Sequence, residues 1–225
     1  MAVSAVLPVH DGLANSTRMS LISGRVADRT AVQVGALMFF GVLAALAGGL
    51  LDLHLRIPGH AIIRSVFPMA LGLALVPVQR GGTLMGLSAI ATAWMMRMYG
   101  VGSLGAGSLT SLALTGPFLD VALLGARRGW RLYLGFILAG LASNLVALSL
   151  RGGMKAMTGD MAGGRLIGQW WQQASITYPV CGVVAGLLSA AVWFRLQGNR
   201  AQRVRNAEAS EAGAGSARRS DQVRQ

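Results

Sequence analysis

Six apolar stretches of about 20 residues each, strung along residues 31–196, constrain this chain more than any other feature. Crossing a hydrocarbon core of about 30 Å takes a helix roughly 20 residues. A helix is the default spanning element because it satisfies its backbone hydrogen bonds within itself. A β-barrel would show alternating segments of about ten residues, and these runs do not alternate. Spans are predicted at 31–52, 61–79, 82–99, 106–125, 131–150 and 175–196. The predicted fold class is therefore all-α, a polytopic integral membrane bundle of about six transmembrane helices. Residues 1–30 are expected to form a cytoplasmic N-terminal segment and 31–197 the transmembrane domain. Residues 198–225 are expected to form a disordered basic cytoplasmic tail, with too little apolar area to offset its ordering entropy. Ala45-Leu46-Ala47 imitates a signal-peptide cleavage site. Thirty residues precede the apolar run, however, so an uncleaved first helix is predicted.

Charge supports a lipid solvent and sets an orientation. Charged residues are 12% of the 225 and hydrophobic ones 53%, whereas soluble domains carry about 25% charged residues. The net charge of +12 would ordinarily suggest nucleic acid. Here the arginines sit between apolar runs and in the tail, where membrane topology places them, so no nucleic-acid partner is expected. With the N-terminus in the cytoplasm, fourteen Arg and Lys fall inside and six outside. That count favours both termini in the cytoplasm, and the chain is expected in the cell inner (plasma) membrane as a multi-pass protein. Cys181 is the only cysteine, which excludes an intrachain disulfide and a cysteine metal site.

Small residues recur four apart. Gly41, Ala45 and Gly49 share one face of the first predicted helix, with Ala44 and Gly48 beside them. Gly82 and Gly86 repeat the pattern, as do Gly182, Gly186 and Ala190. Lipid tails are as apolar as leucine, so helices associate through close backbone approach. These faces serve packing within the chain or, for Gly41, Ala44, Ala45 and Gly48, docking on a partner subunit.

Polar residues gather at the predicted outer ends. His54, Arg56 and His60 lie in the first outer loop, and Arg64 shares a helix face with His60 four residues away. Arg97 ends the third span. Arg151, Lys155, Asp160 and Arg165 occupy the predicted fifth-to-sixth loop, followed by Trp170 and Trp171, and Asn144 lies on the fifth span. Arginine within hydrocarbon costs about 2.5–3.5 kcal/mol on insertion scales and usually faces a bundle interior or wet cavity. The cluster is a candidate anion site, with arginine pairing to the anionic group. The alternative is snorkelling to the headgroups, with the tryptophans as interfacial anchors. His54 and His60 fit no strong metal-ligand spacing, so neither metal nor cofactor is expected. Asp120 is expected to pair with Arg127 and Arg128, the sharper alternative being a proton relay. No Walker loop, H-E-x-x-H or G-x-S-x-G occurs, so the chain is not expected to be an enzyme.

The six spans, the cytoplasmic termini, the Pro58-Gly59 loop after the first helix and the small-residue face on that helix resemble one family. They are similar to the substrate-binding (S) components of energy-coupling-factor transporters. The resemblance is architectural and covers about 31–197. In that family alanines four apart on the first helix dock the shared transmembrane subunit. Ala44-x3-Gly48 and Gly41-x3-Ala45-x3-Gly49 take that place here. Family ligands bind near the outer face, beneath loops that here carry His54, Arg56, His60, Arg97, Lys155 and Arg165. The metal-importing members begin with a histidine motif that Met1-Ala2-Val3 lacks, so the resemblance implies a small anionic, vitamin-like solute. It also implies a transmembrane coupling subunit and ATPase subunits as partners. The competing expectations are a non-catalytic subunit or assembly factor of a membrane complex and, third, a membrane-embedded enzyme.

Overall fold

A computed structural model describes residues 8–18, 30–51, 59–102, 105–125, 129–158 and 167–195. The predicted tail, and residues 1–7 and 19–29 of the predicted N-terminal segment, lie outside the described residues. The helices are α1 (Asp11–Ser16), α2 (Thr30–Leu50), α3 (Ala61–Leu75), α4 (Gly81–Met98), α5 (Ala106–Leu123), α6 (Trp130–Thr158) and α7 (Ile167–Trp193). Among the described residues the only strand-like pairings are two isolated bridges, Val9 with Val78 and Thr17 with Phe194. Thr30–Leu50, Trp130–Met157 and Gly168–Trp193 are long and apolar enough to cross a membrane, while Ala61–Leu75 and Gly107–Leu123 are shorter apolar helices.

The longer helices close a ring in the order α2, α4, α5, α6, α7, α3, and α3 also reaches across to α4, α5 and α6. The position of α3 follows from its sequence. Ile62, Ser65, Val66, Pro68, Met69, Ala70, Gly72 and Leu73 are all buried, so no polar face exists to turn outward. Its 15 residues span only about 22 Å at 1.5 Å per residue. It ends four residues before the predicted limit, and residues 76–80 form the turn into α4. Below, the near end is where α3, α5 and α7 finish and α4 and α6 begin; the far end is opposite.

Glycines set the spacing between neighbours. A Cβ built on Gly140 of α6 would lie 2.5 Å from the Gly182 carbonyl oxygen, and one on Gly182 of α7 would lie 2.7 Å from that of Gly140. Gly82 of α4 and Gly116 of α5 meet backbone to backbone in the same reciprocal way. Gly41 of α2 lies against Met85 and Ser88 of α4. This is the close approach that holds helices together where the solvent offers no hydrophobic drive.

Residues 8–18 belong to the bundle rather than to a separate polar segment. Leu13 and Ser16 are buried, and the segment crosses the near end and covers the ends of three helices. The last carbonyls of a helix have no intrahelical donor, and this segment supplies donors to them. The His10 N–H bonds to Pro77 O at 2.8 Å, and Thr17 Oγ1 donates to Ala74 O at 2.9 Å, both at the end of α3. His10 Nε2 reaches Leu123 O at the end of α5 at 2.8 Å. A carbonyl only accepts, so Nε2 carries the proton, and Nδ1 accepts from the Leu13 N–H at 3.3 Å. At the end of α7 the Arg18 N–H donates to Trp193 O at 3.0 Å and Arg18 Nε donates to Phe194 O at 3.0 Å. That places a cation at a helix C-terminus, where the dipole favours it.

The far end departs from the predicted boundaries. α6 runs eight residues beyond the predicted limit and α7 begins eight residues early. Arg151 and Lys155 are therefore helical residues, not loop residues. Packing overrides the poor propensity of Gly152-Gly153: Gly152 is buried beneath the Trp171 ring.

Two outcomes are expected from thermal unfolding in detergent. Gly182→Val should destabilise the protein by about 1–3 kcal/mol, the usual cost of overpacking. Gly35→Ala, where a Cβ meets nothing within 4 Å, should not. Leu13→Ala should cost about 2–5 kcal/mol as a core cavity, a loss that an unattached N-terminal segment would not produce.

Candidate functional site

Three features compete for a functional role: a buried hydroxyl chain, a carboxylate at the near end, and a cationic and aromatic group at the far end.

The hydroxyl chain links α3, α5 and α6. Ser65, Ser111, Thr115 and Ser143 are all at most 2% exposed, so each needs a partner. Thr115 Oγ1 donates to Ser111 O at 2.6 Å and lies 3.0 Å from Ser143 Oγ. Ser65 Oγ donates to Ile62 O at 3.0 Å and lies 3.3 Å from Ser111 Oγ. Each hydroxyl has one proton. With Thr115 and Ser65 donating to carbonyls, Ser111 donates to Ser65, and the Ser143 proton goes to Thr115 Oγ1 or to Ser111 O, which lies 3.4 Å away. Every proton is used, and the chain works as polar glue between helices.

Asp120, on α5, caps a helix. Its Oδ1 accepts from the Gly82 N–H at 2.9 Å. Its Oδ2 accepts from the Thr83 N–H and from Thr83 Oγ1, both at 2.6 Å. The N-cap residue Arg80 offers no side-chain acceptor to α4, so the neighbouring helix provides one. A carboxylate is favoured at the positive end of a helix. The predicted partners Arg127 and Arg128 lie outside the described residues, and the bonds seen are to backbone and hydroxyl.

At the far end Asn144 of α6 is buried and ties two elements together. Its Nδ2 donates to Gly59 O at 3.3 Å and to Tyr178 O at 2.6 Å. Gly59 holds φ +88°, and a Cβ there would lie 3.0 Å from Tyr178 Cα. Only glycine both takes that angle without strain and leaves room for α7. The Tyr178 ring is buried, with Ala147, Leu148, Trp170 and Ala174 around it. Its hydroxyl lies 3.5 Å from Arg151 Nη1. Lys155 Nζ stands 5.2 Å from the centroid of the Trp170 ring, within cation–π range.

The predicted site residues divide. His54 and Arg56 lie outside the described residues. Arg64 Nη1 donates to Leu51 O and to Gly48 O at 3.3 Å, and Nη2 lies 3.0 Å from His60 Nε2. The pair closes the C-terminal end of α2, which is a structural use. Arg97 is exposed in the last turn of α4 and makes no hydrogen bond to the cluster. Trp170 is buried, while Trp171 is half exposed over Gly152. Asn144 and Trp170 thus join the group around Tyr178. Arg64 is turned onto α2 and Arg97 is exposed. Three of the four residues of the predicted docking face pack within the chain. Ala44 and Ala45 are fully buried, Gly41 packs on α4, and only Gly48 is partly exposed.

Sequence reasoning missed Tyr178 and undervalued Arg151. A tyrosine before Pro179, deep in an apolar run, was the available signal. Among the described residues no three His, Cys, Asp or Glu lie together as a metal site. No protein-family model, no curated protein and no solved structure matches the chain.

Asp120→Ala should lower the thermal midpoint by an amount equivalent to about 1.5–3 kcal/mol, the worth of hydrogen bonds to a charged group. Asp120→Asn should recover part of the loss, since an amide oxygen still accepts from Thr83. Unchanged stability in both variants would contradict the capping role.

Proposed function

We propose that this chain is the membrane-embedded solute-binding component of an uptake system, taking a small anionic, vitamin-like solute at its far end. In this reading it is a multi-pass protein of the cell inner membrane with six spans. Both termini and the near end face the cytoplasm, and the far end faces out.

One observation carries the reading. The described carboxylates are Asp11 and Asp120, and both belong to the near half of the bundle. The far end holds Arg64, Arg97, Arg151 and Lys155, and no described carboxylate neutralises them there. Arg64 is engaged with α2. Among the described residues the Arg151 guanidinium meets the neutral Tyr178 hydroxyl, at the long distance of 3.5 Å, and Lys155 meets the Trp170 ring. A solute carboxylate or phosphate would gain charge-assisted hydrogen bonds from both cations. Tyr178 adds a neutral donor, and the half-exposed Trp171 offers a face against which an apolar or heterocyclic body can rest.

Uptake against a gradient needs an energy source, which in this reading is a separate coupling subunit with its ATPase subunits. That subunit would contact a surface other than Gly41, Ala44 and Ala45, which the chain itself covers.

The test is equilibrium binding to the purified protein in lipid nanodiscs, using a panel of carboxylate- and phosphate-bearing vitamins and their precursors. Arg151→Gln should weaken the best ligand by about 10- to 100-fold, the worth of one hydrogen bond to a charged group. Arg97→Gln should leave affinity unchanged. Failure of every anion to saturate, with a partner subunit co-purifying at fixed stoichiometry, would replace this reading with that of a non-catalytic subunit.

A further inference from the structure

Between α2 and α4, at the near end, lies a cleft of about 610 Å³. This is within the roughly 300–1,000 Å³ typical of small-ligand sites. Val34 and Leu37 of α2, Val78 of the turn and Leu87 of α4 form an apolar wall. Leu87 is 61% exposed, so the cleft opens on the outside of the ring, where a bundle of apolar helices meets acyl chains. Its other edge carries Arg80.

Arg80 is unusual in two ways. Its backbone is left-handed, with φ 62°, and it is the only non-glycine residue with positive φ among those described. Glycine adopts that conformation at little cost, and other residues seldom do. Backbone strain of this kind persists where the surroundings demand it and clusters at ligand sites. The side chain is exposed, and it makes no hydrogen bond or ion pair with a described residue. The nearby carboxylate, Asp120, is committed to Gly82 and Thr83. The turn thus presents a guanidinium with no counter-charge among the described residues at the polar mouth of an apolar cleft.

We propose that this cleft binds an anionic phospholipid, with an acyl chain against Val34, Leu84 and Leu87 and the phosphate on Arg80. Neither half suffices alone: the wall suits any alkyl chain, and the guanidinium selects a net negative headgroup over a zwitterionic one. The site lies at the opposite end of the bundle from Arg151 and Tyr178, so it stands or falls apart from the uptake reading.

The experiment is native mass spectrometry of delipidated protein titrated with phosphatidylglycerol or phosphatidylcholine of the same acyl chains, with glycerol phosphate as the chain-free probe. Phosphatidylglycerol should bind at least about tenfold tighter than phosphatidylcholine, and glycerol phosphate should not bind. Arg80→Gly keeps the left-handed turn and removes the charge. It should abolish the preference without lowering the thermal midpoint in detergent. Val34→Trp fills the wall and should weaken both lipids. Equal binding of the two lipids, a preference that survives Arg80→Gly, or glycerol phosphate binding as well as the lipid would each overturn the proposal.

Discussion

The bundle depends on satisfying the unpaired backbone groups at its helix ends from within the protein. Each helix leaves orphan N–H groups at its start and orphan carbonyls at its finish, and an apolar solvent supplies no substitute partners. At the near end three helices finish together. Residues 8–18 meet all three, with Thr17 and the His10 N–H on α3, the His10 ring on α5 and Arg18 on α7. Tyr133 of α6 adds a second donor to Phe194 O. The start of α4 beside them is met by Asp120. Across the bundle, Arg64 closes α2. Every polar side chain in this account caps an element other than its own helix, so helix formation and helix packing are one event.

The central position of α3 follows from the same requirement. Its 15 helical residues cover only part of the depth of a hydrocarbon core, so the turns at its ends lie within that depth, and Pro68 removes one of its internal hydrogen bonds. Such a helix would be poorly placed facing lipid. Enclosed by α2, α4, α5, α6 and α7, its irregular ends meet protein instead: the Gly59 turn rests on Asn144 and Tyr178, and the Leu75–Pro77 end rests on residues 10–17. The glycine contacts of α6 with α7 and of α4 with α5 then draw the ring close enough for these side chains to reach their targets.

The helical class and the core of each long helix are legible in the sequence, because an apolar run of about 20 residues leaves few alternatives. Helix limits are not, since tertiary contacts decide them. RGGMKAMT reads as a loop until Trp171 is seen on Gly152 and Lys155 near Trp170. The role of residues 8–18 is also hidden, because its donors are aimed at carbonyls more than 50 residues away in the chain, and no local pattern reports that. At the candidate site Asn144 and Trp170 were identifiable by type. Arg64 and Arg97 were identifiable as arginines near the bundle ends, but their directions were not. A guanidinium at a helix end has two attractive destinations, a pocket anion and a neighbouring helix's carbonyls, and only the course of α2 decides between them. Gly41, Ala44 and Ala45 were correctly marked as a close-packing face. The identity of the surface packed against them is a property of the ring order.

The two ends differ in a way that bears on mechanism. A solute-binding component must admit its ligand from one side while the other side stays shut. At the near end Leu13 and Phe194 are buried together in the main core, and residues 8–18 donate to the terminal carbonyls of α3, α5 and α7. At the far end, among the described residues, two cations meet a phenol and an indole. Moving residues 8–18 away from the near end would break bonds to three helices at once, so release on that side could not be a local motion of one loop. It would require a partner that binds the displaced segment, or one that shifts α3, α5 and α7 together. A carrier acting alone would gain nothing from so costly a gate. In the proposed uptake reading, such a binding component would depend on other subunits to complete transport.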